Sequence, residues 1–186
     1  MKNIVKYSGL ILVAVVLVFA NTMMIYKTFF AKSRLDPSYK QPAVVTDDDI
    51  RRYADSVFTH KDSLRVVEDE IMSNKRIIIE NGDTLGFAFI VYEPIPCPSC
   101  SDVNYVLITD KEYIIMDIRF LKEIIEGYEV INMDTVIMYS QQFISLTIVY
   151  SDISSIKPLE KPKKYSEYFI NTLITLQKQI ILFYGS

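Results

Sequence analysis

The strongest constraint on the fold is a β-hairpin signal near the middle of the chain. Two apolar runs, residues 77–79 and 85–92, flank Asn81-Gly82-Asp83. An Asn-Gly pair between two such runs is typical of the tight turn that joins antiparallel strands. Four more runs are rich in β-branched and aromatic residues, namely 103–109, 113–120, 135–139 and 143–150. We therefore predict a largely antiparallel sheet.

Helical spacing precedes this sheet. Asp47-Asp48-Asp49 offers N-cap oxygens and negative charge for a helix start. The apolar residues after it recur at i, i+3, i+4, i+7 and i+8, and they are Ile50, Tyr53, Ala54, Val57 and Phe58. A second, shorter helix is predicted from Asp62, with Leu64, Val67 and Ile71 on one side.

A third helix closes the chain. It is predicted to be capped near Ser166 and to carry an apolar stripe of Phe169, Leu173, Leu176, Ile180 and Phe183. Core packing is the favoured use of this stripe, with a second membrane contact as the alternative. Sheet and helices together predict an α+β fold with helices that flank an antiparallel sheet.

The N-terminal part differs in kind. Residues 8–26 carry no charge, and this run of nineteen residues has about the length that a helix needs to cross the hydrocarbon core. We predict a membrane anchor over 1–30, a linker over 31–46 and a folded domain over 47–186. A signal peptide cleaved after Val18-Phe19-Ala20 is the alternative to the anchor.

Composition excludes some function classes. A formal net charge of −3 argues against a nucleic-acid partner, and 50% hydrophobic residues argue against a disordered acidic chain. Only five glycines occur, and neither a GxGxxG nor a GxxxxGK stretch is found. The sequence therefore predicts no phosphate-binding loop for nucleotides.

Both cysteines lie in one proline-rich stretch, EPIPCPSCSD, at residues 93–102. Pro94, Pro96 and Pro98 restrict φ and remove backbone donors, so this segment is predicted to be a rigid, accessible loop. Cys97 and Cys100 are the candidate site residues. At CxxC spacing they form either a redox dithiol or a structural disulfide, and both interpretations stay open.

Metal and haem binding are not predicted. A closed zinc site needs about four ligands, whereas the chain has two cysteines and a single histidine, His60. Attachment of a c-type haem requires histidine after the second cysteine, and Ser101 stands there.

The order of four segments resembles the FMN-binding domain of the flavin subunits in Rnf and sodium-pumping quinone reductase complexes. The segments are residues 53–58, 85–91, 103–110 and 113–119, so the resemblance covers about residues 50 to 120. It implies an FMN-binding-domain-like fold and a role in electron transfer. Side chains near Phe87, Phe89 and Tyr105 would then pack the flavin ring, and core packing is an equally good explanation of these residues.

The sequence departs from that family at the flavin attachment motif. Members carry Ser-Gly-Ala-Thr, whose threonine is linked to FMN through phosphate, whereas residues 151–157 of this chain read SDISSIK. The resemblance therefore implies noncovalently bound FMN at most. A strand followed by CPSC is also similar to thioredoxin, although Pro96 precedes the first cysteine and residues 101–109 are β-rich rather than helical.

These observations predict a membrane-anchored, extracytoplasmic redox or electron-transfer accessory protein with a CxxC pair. Its partners would be the membrane, through residues 8–26, and a membrane redox complex. The alternatives are a noncatalytic scaffold or assembly subunit with a structural disulfide, and a thioredoxin-like thiol–disulfide oxidoreductase. The expected location is the cytoplasmic membrane, crossed once, with the domain on the outer or periplasmic side.

This topology can be tested with reporter fusions. Because a six-residue N-terminal tail is expected to stay in the cytoplasm, alkaline phosphatase fused after Ser186 should be active. A cytoplasmic reporter at the same position is the control and should be inactive. The reverse pair of activities would reverse the assignment.

Overall fold

A five-stranded antiparallel sheet organises residues 40–185, the part of the chain that the computed structural model describes. Its strands follow one another in sequence order, so each pairs with the next along the chain. They are β1 (Arg65–Glu68), β2 (Lys75–Glu80), β3 (Asp83–Glu93), β4 (Val103–Asp110) and β5 (Ile115–Phe120). The predicted α+β class with a largely antiparallel sheet is confirmed.

The remaining elements lie before and after this sheet. Helix α1 (Asp47–Asp55) precedes it, and a two-stranded hairpin of β6 (Ile125–Glu126) and β7 (Glu129–Val130) follows. Then come helix α2 (Met133–Ser140), two short 3-10 helices (Gln141–Phe143 and Ile153–Ser155) and the C-terminal helix α3 (Lys163–Tyr184).

The predicted Asn-Gly hairpin is present between β2 and β3. Asn81 and Gly82 have φ values of 51° and 94°, so both adopt the left-handed conformation that this tight turn requires. Glu80 and Asp83 form the closing pair of the hairpin. The local turn signal was therefore sufficient to place these two strands.

Both faces of the sheet are buried, because side chains alternate along the strands. On one face, Val106 and Ile108 of β4 belong to the same core cluster as Ile50 and Ala54 of α1. On the opposite face, a larger cluster brings together residues of β3, β4 and α3, including Phe89, Tyr105, Leu107, Phe169 and Leu173. The sheet is thus covered by helix α1 on one side and helix α3 on the other.

The start of α1 differs slightly from the prediction. Thr46, and not the aspartate run, is the N-cap, and its hydroxyl accepts a hydrogen bond from the Asp49 amide at 3.2 Å. Asp49 returns the interaction by accepting from the Thr46 amide at 3.0 Å, which completes a capping box. The three aspartates occupy the first turn, where negative charge favours the helix dipole.

The predicted helix from Asp62 is wrong. Residues 65–68 form strand β1, in which Val66 and Val67 pair with Ile78 and Ile77 of β2. The spacing of Leu64, Val67 and Ile71 fits a helical stripe, but pairing with an adjacent strand overrides that local preference. Asp69 then reverses the chain by accepting hydrogen bonds from the amides that follow it.

Two predicted strands after the sheet are also wrong. Residues 135–139 lie in helix α2, which begins because the Asn132 side chain caps it by accepting from the Asp134 amide. Residues 143–150 form turns, with Ser145 at a φ of 69°, and contribute a single bridge between Ile114 and Thr147. Capping and turn formation outweigh the β-rich composition of these segments.

Helix α3 carries the predicted core stripe. Phe169, Leu173, Leu176 and Ile180 are buried, whereas Phe183 is 47% exposed. The helix begins at Lys163, earlier than the cap predicted near Ser166. The Ser166 hydroxyl lies in the first turn, where it accepts from the Leu159 amide and donates to the Lys163 carbonyl.

The predicted membrane anchor at 1–30 and residues 31–39 of the predicted linker lie outside the described residues. Between residues 40 and 185, no helix combines the length and apolar character needed to cross a bilayer. Residues 40–46 of the predicted linker contact the domain, since the Ala43 amide donates to the Asn104 side chain at 2.9 Å.

Gly86 provides a test of the sheet packing. A Cβ at this position would lie against the Thr109 carbonyl oxygen and 2.7 Å from Phe58 Cζ. We expect Gly86→Ala to lower the free energy of unfolding by about 1–3 kcal/mol, since overpacking forces the backbone to shift. Chemical denaturation followed by circular dichroism measures this, with exposed Thr84→Ala on the same strand as control. Equal stability of the two variants would contradict the packing.

Candidate functional site

The two cysteines form a disulfide in the loop that joins β3 to β4. Residues in this loop alternate, because Pro94, Pro96 and Pro98 are exposed whereas Ile95 and Cys97 are buried. Cys97 is 8% exposed and Cys100 is 1% exposed. The loop was predicted to be accessible, but both cysteines belong to the main core cluster.

A buried carboxylate holds the beginning of this loop. Asp102 is 2% exposed and accepts hydrogen bonds from the Ile95 amide at 2.9 Å and from the Tyr92 hydroxyl at 2.9 Å. Lys40 Nζ lies 2.7 Å from Asp102 Oδ1 and donates to the Ile95 carbonyl at 2.8 Å. Burial, together with the Asp102 carboxylate beside it, raises the pKa of the Tyr92 hydroxyl.

The end of the loop is held by the β6–β7 hairpin. The Ser101 amide donates to the Ile125 carbonyl at 2.8 Å, and the Ser101 hydroxyl accepts from the Ile125 amide at 2.9 Å. The Tyr128 amide donates to the Ser99 carbonyl at 3.2 Å. Hydrogen bonds therefore fix the disulfide loop on both of its sides.

Of the two cysteines, Cys97 is the one that borders a cavity at this loop. Cys97 lines an open cavity of about 400 Å³ together with Tyr92, Pro96 and Pro98, whereas Cys100 does not line it. Exchange also requires a stabilised thiolate, and burial in apolar surroundings raises the pKa of a thiol. Cys97 Sγ lies 3.5 Å from the Ser99 hydroxyl, and this neutral group supplies no positive charge to stabilise a thiolate.

The aromatic residues suggested for flavin packing contact other side chains of the domain. Phe89 and Tyr105 are fully buried, and the Tyr105 hydroxyl lies 2.7 Å from Thr172 Oγ1. Phe87 is half-buried and stacks on Tyr113 with ring centroids 4.8 Å apart. Noncovalent FMN binding stays a prediction.

Within residues 40–185, histidine, cysteine and acidic side chains do not gather into a group of three that could hold a metal ion. His60 pairs instead with a single carboxylate, since its Nε2 lies 3.2 Å from Asp55 Oδ1.

A second polar site, which the sequence did not suggest, lies between β1 and β2. Lys75 Nζ is 3.3 Å from Asp69 Oδ2, and the two side chains are 3% and 7% exposed. The Tyr184 hydroxyl donates to Asp69 Oδ1 at 2.6 Å, and the amides of Ile71 and Met72 donate to the same oxygen at 2.9 Å. A buried ion pair with these additional bonds satisfies its polar atoms.

Aromatic rings surround the ammonium group of Lys75. Its Nζ lies 3.6 Å from the ring centroid of Tyr184, 4.1 Å from that of Phe87 and 5.7 Å from that of Tyr113. Such contacts attract a cation to the electron-rich face of each ring. Burial lowers the pKa of Lys75 even though the Asp69 carboxylate opposes this effect.

Sequence reasoning missed this pair because its two residues fall in different predicted elements. Asp69 was placed in the mispredicted second helix, and Lys75 stood just before an apolar run. The useful signal in the sequence was Lys75, a charged residue at the start of an apolar strand. Lysine is almost never buried without a partner, so this position indicates a nearby carboxylate.

The chain has no match among known protein families, curated proteins or solved structures. The resemblances to FMN-binding domains and to thioredoxin therefore stay predictions from the sequence.

The Asp69–Lys75 pair predicts a dependence of stability on pH. Burial opposes ionisation of Asp69, but the hydrogen bonds from Tyr184, Met72, Ile71 and Lys75 outweigh it and lower its pKa to about 2. Because this value lies below the unfolded value of about 3.9, the stabilisation is complete above about pH 5 and is lost progressively as pH falls toward 1. We expect a loss of about 2–3 kcal/mol over that interval.

The matching variant is Asp69→Asn. It should lack this acid-dependent loss and should be less stable at pH 7 by about 3–5 kcal/mol, because Lys75 is left buried without its carboxylate. Denaturation midpoints from pH 2 to pH 7 measure both effects, with exposed Glu70→Gln in the same turn as control. An acid limb of the same slope in Asp69→Asn and in the unchanged protein would rule out this role.

Proposed function

We propose that this chain is a noncatalytic, membrane-tethered scaffold or assembly subunit whose Cys97–Cys100 disulfide is structural. The observation that carries the proposal is the burial of both sulfur atoms in the main core cluster. A dithiol that reacts with other proteins needs a thiolate that is accessible and stabilised by nearby positive charge. A disulfide that closes a loop over a core needs neither.

The position of the loop supports this proposal. Residues that follow the N-terminal run reach the domain at this loop, since Lys40 pairs with Asp102 and Ala43 bonds to Asn104. Lys122 Nζ donates to the Gln41 carbonyl at 2.7 Å in the same region. The disulfide therefore stiffens the part of the domain at which the tether from the proposed membrane anchor arrives.

A second candidate is thiol–disulfide exchange at Cys97, within a redox accessory protein. One observation favours it, namely that Cys97 lines an open cavity of about 400 Å³. An external thiolate that enters this cavity would attack Cys97 Sγ, form a mixed disulfide with it and release the Cys100 thiolate. Cys100, at 1% exposure, would then carry the negative charge in apolar surroundings.

The double variant Cys97→Ser/Cys100→Ser separates the two candidates. For the scaffold, we expect it to keep the far-ultraviolet spectrum of the fold and to lose about 2 kcal/mol of stability, the contribution expected from closing so short a loop. Glu93→Gln, at an exposed residue just before the loop, is the control for changes unrelated to the disulfide. Alkylation of the unchanged protein should label two thiols after reduction and none before it.

Two results would sink the scaffold proposal. One is that an external thiol rapidly reduces the Cys97–Cys100 disulfide in the folded protein, since a buried structural disulfide exchanges slowly. The other is that added FMN gives a bound flavin spectrum, which would favour the electron-transfer accessory predicted from the sequence.

A further inference from the structure

A pocket of about 300 Å³ lies between the β4–β5 connection and the C-terminal end of α3. We call it the tyrosine pocket, and its walls include Glu112, Tyr113, Tyr150, Ile180, Ile181 and Tyr184. Its volume is at the lower end of the range found for small-molecule sites. It is separate from the disulfide loop, and nothing in the function proposed above depends on it.

Three tyrosines, Tyr113, Tyr150 and Tyr184, line this pocket. Tyr150 is 88% exposed and stands at the rim, whereas Tyr113 and Tyr184 continue inward to the Asp69–Lys75 pair. Aromatic rings present a negative face, and several such rings around one space form a cage suited to an organic cation. Lys75 shows the same attraction inside the domain, since its Nζ lies 3.6 Å from the Tyr184 ring centroid.

The end of helix α3 adds negative potential to the pocket. Ile180, Ile181, Tyr184 and Gly185 belong to its last turn and C-cap, and the last turn contains no basic residue. The C-terminal end of a helix carries the negative pole of its dipole, because the last carbonyl groups lack partners within the helix. The 22-residue length of α3 makes this end a well-defined helix terminus.

The charged side chains around the pocket also favour a cation. Glu112 contributes a carboxylate at the rim, and its contact with Lys111 is a long, exposed one of 3.8 Å. Exposed pairs of this kind contribute little, so a ligand can compete with Lys111 for the carboxylate. The positive charge of Lys75 is balanced by Asp69 at 3.3 Å, and Glu112 is the charged side chain of the lining itself.

We propose that the tyrosine pocket binds a small organic cation of the quaternary or tertiary ammonium class. Methyl groups on nitrogen would contact the rings and the side chains of Ile180 and Ile181, while the positive charge faces the rings, Glu112 and the helix end. A hydrated inorganic cation would need clustered oxygen ligands, and residues 40–185 contain no such group of acidic side chains.

The test uses the full chain in dodecyl maltoside, a detergent without an ammonium head group. Isothermal titration calorimetry compares choline with 3,3-dimethylbutan-1-ol, which has nearly the same shape but no charge. We expect choline to bind at least about fivefold more tightly, the discrimination that cation–π contacts provide. Equal affinity for the two probes, or no saturable binding of choline up to about 10 mM, would overturn the proposal.

Variants at the rim identify the interaction without disturbing the core. Tyr150→Phe keeps the aromatic ring and should retain choline affinity, whereas Tyr150→Leu should weaken it about fivefold. Glu112→Gln should weaken it about two- to fivefold and reduce its dependence on salt. Tyr128→Leu, at an exposed tyrosine of the β6–β7 hairpin, is the control. Unchanged affinity in both Tyr150→Leu and Glu112→Gln would also overturn the proposal.

Discussion

The burial of β4 on both faces is the constraint on which the rest of the domain depends. Seven of its eight residues are buried, and it pairs with β3 on one edge and β5 on the other. Its side chains supply apolar surface to the cluster with α1 and to the cluster with α3. Polar residues on this strand therefore need partners, and Asn104 obtains one from the Ala43 amide. The same hydrogen bond holds the segment before α1, which contains Ala43, to the domain.

Two buried carboxylates accept hydrogen bonds from the backbone at two connections between strands of the sheet. Asp102 orders the link between β3 and β4 through Ile95, Tyr92 and Lys40. Asp69 orders the link between β1 and β2 through backbone amides and Lys75. In each case one carboxylate pairs with a lysine and accepts a hydrogen bond from at least one backbone amide. Removal of the carboxylate would therefore leave several buried polar groups without a partner.

The success of prediction from sequence depended on whether the deciding interaction was local. The Asn81-Gly82 turn, the β-rich runs on either side of the cysteine loop and the stripe of α3 are encoded within a few residues, and each was found. Strand β1 was missed because its pairing with β2 forms across a reversal that only the fold reveals. Likewise, the CxxC spacing identified the cysteines, but their burial follows from core packing, while Ile125 and Lys40 hold the neighbouring residues Ser101 and Ile95.

The two candidate sites lie at opposite ends of the sheet. The disulfide loop follows the pair Glu93–Val103, whereas Tyr113 of the tyrosine pocket follows the pair Gly86–Asp110 at the other end of β3 and β4. Seven residue steps of extended strand separate these ends by about 23 Å. Lys40 and Ala43 contact the domain at the disulfide end, so the tyrosine pocket lies at the end of the sheet opposite these contacts.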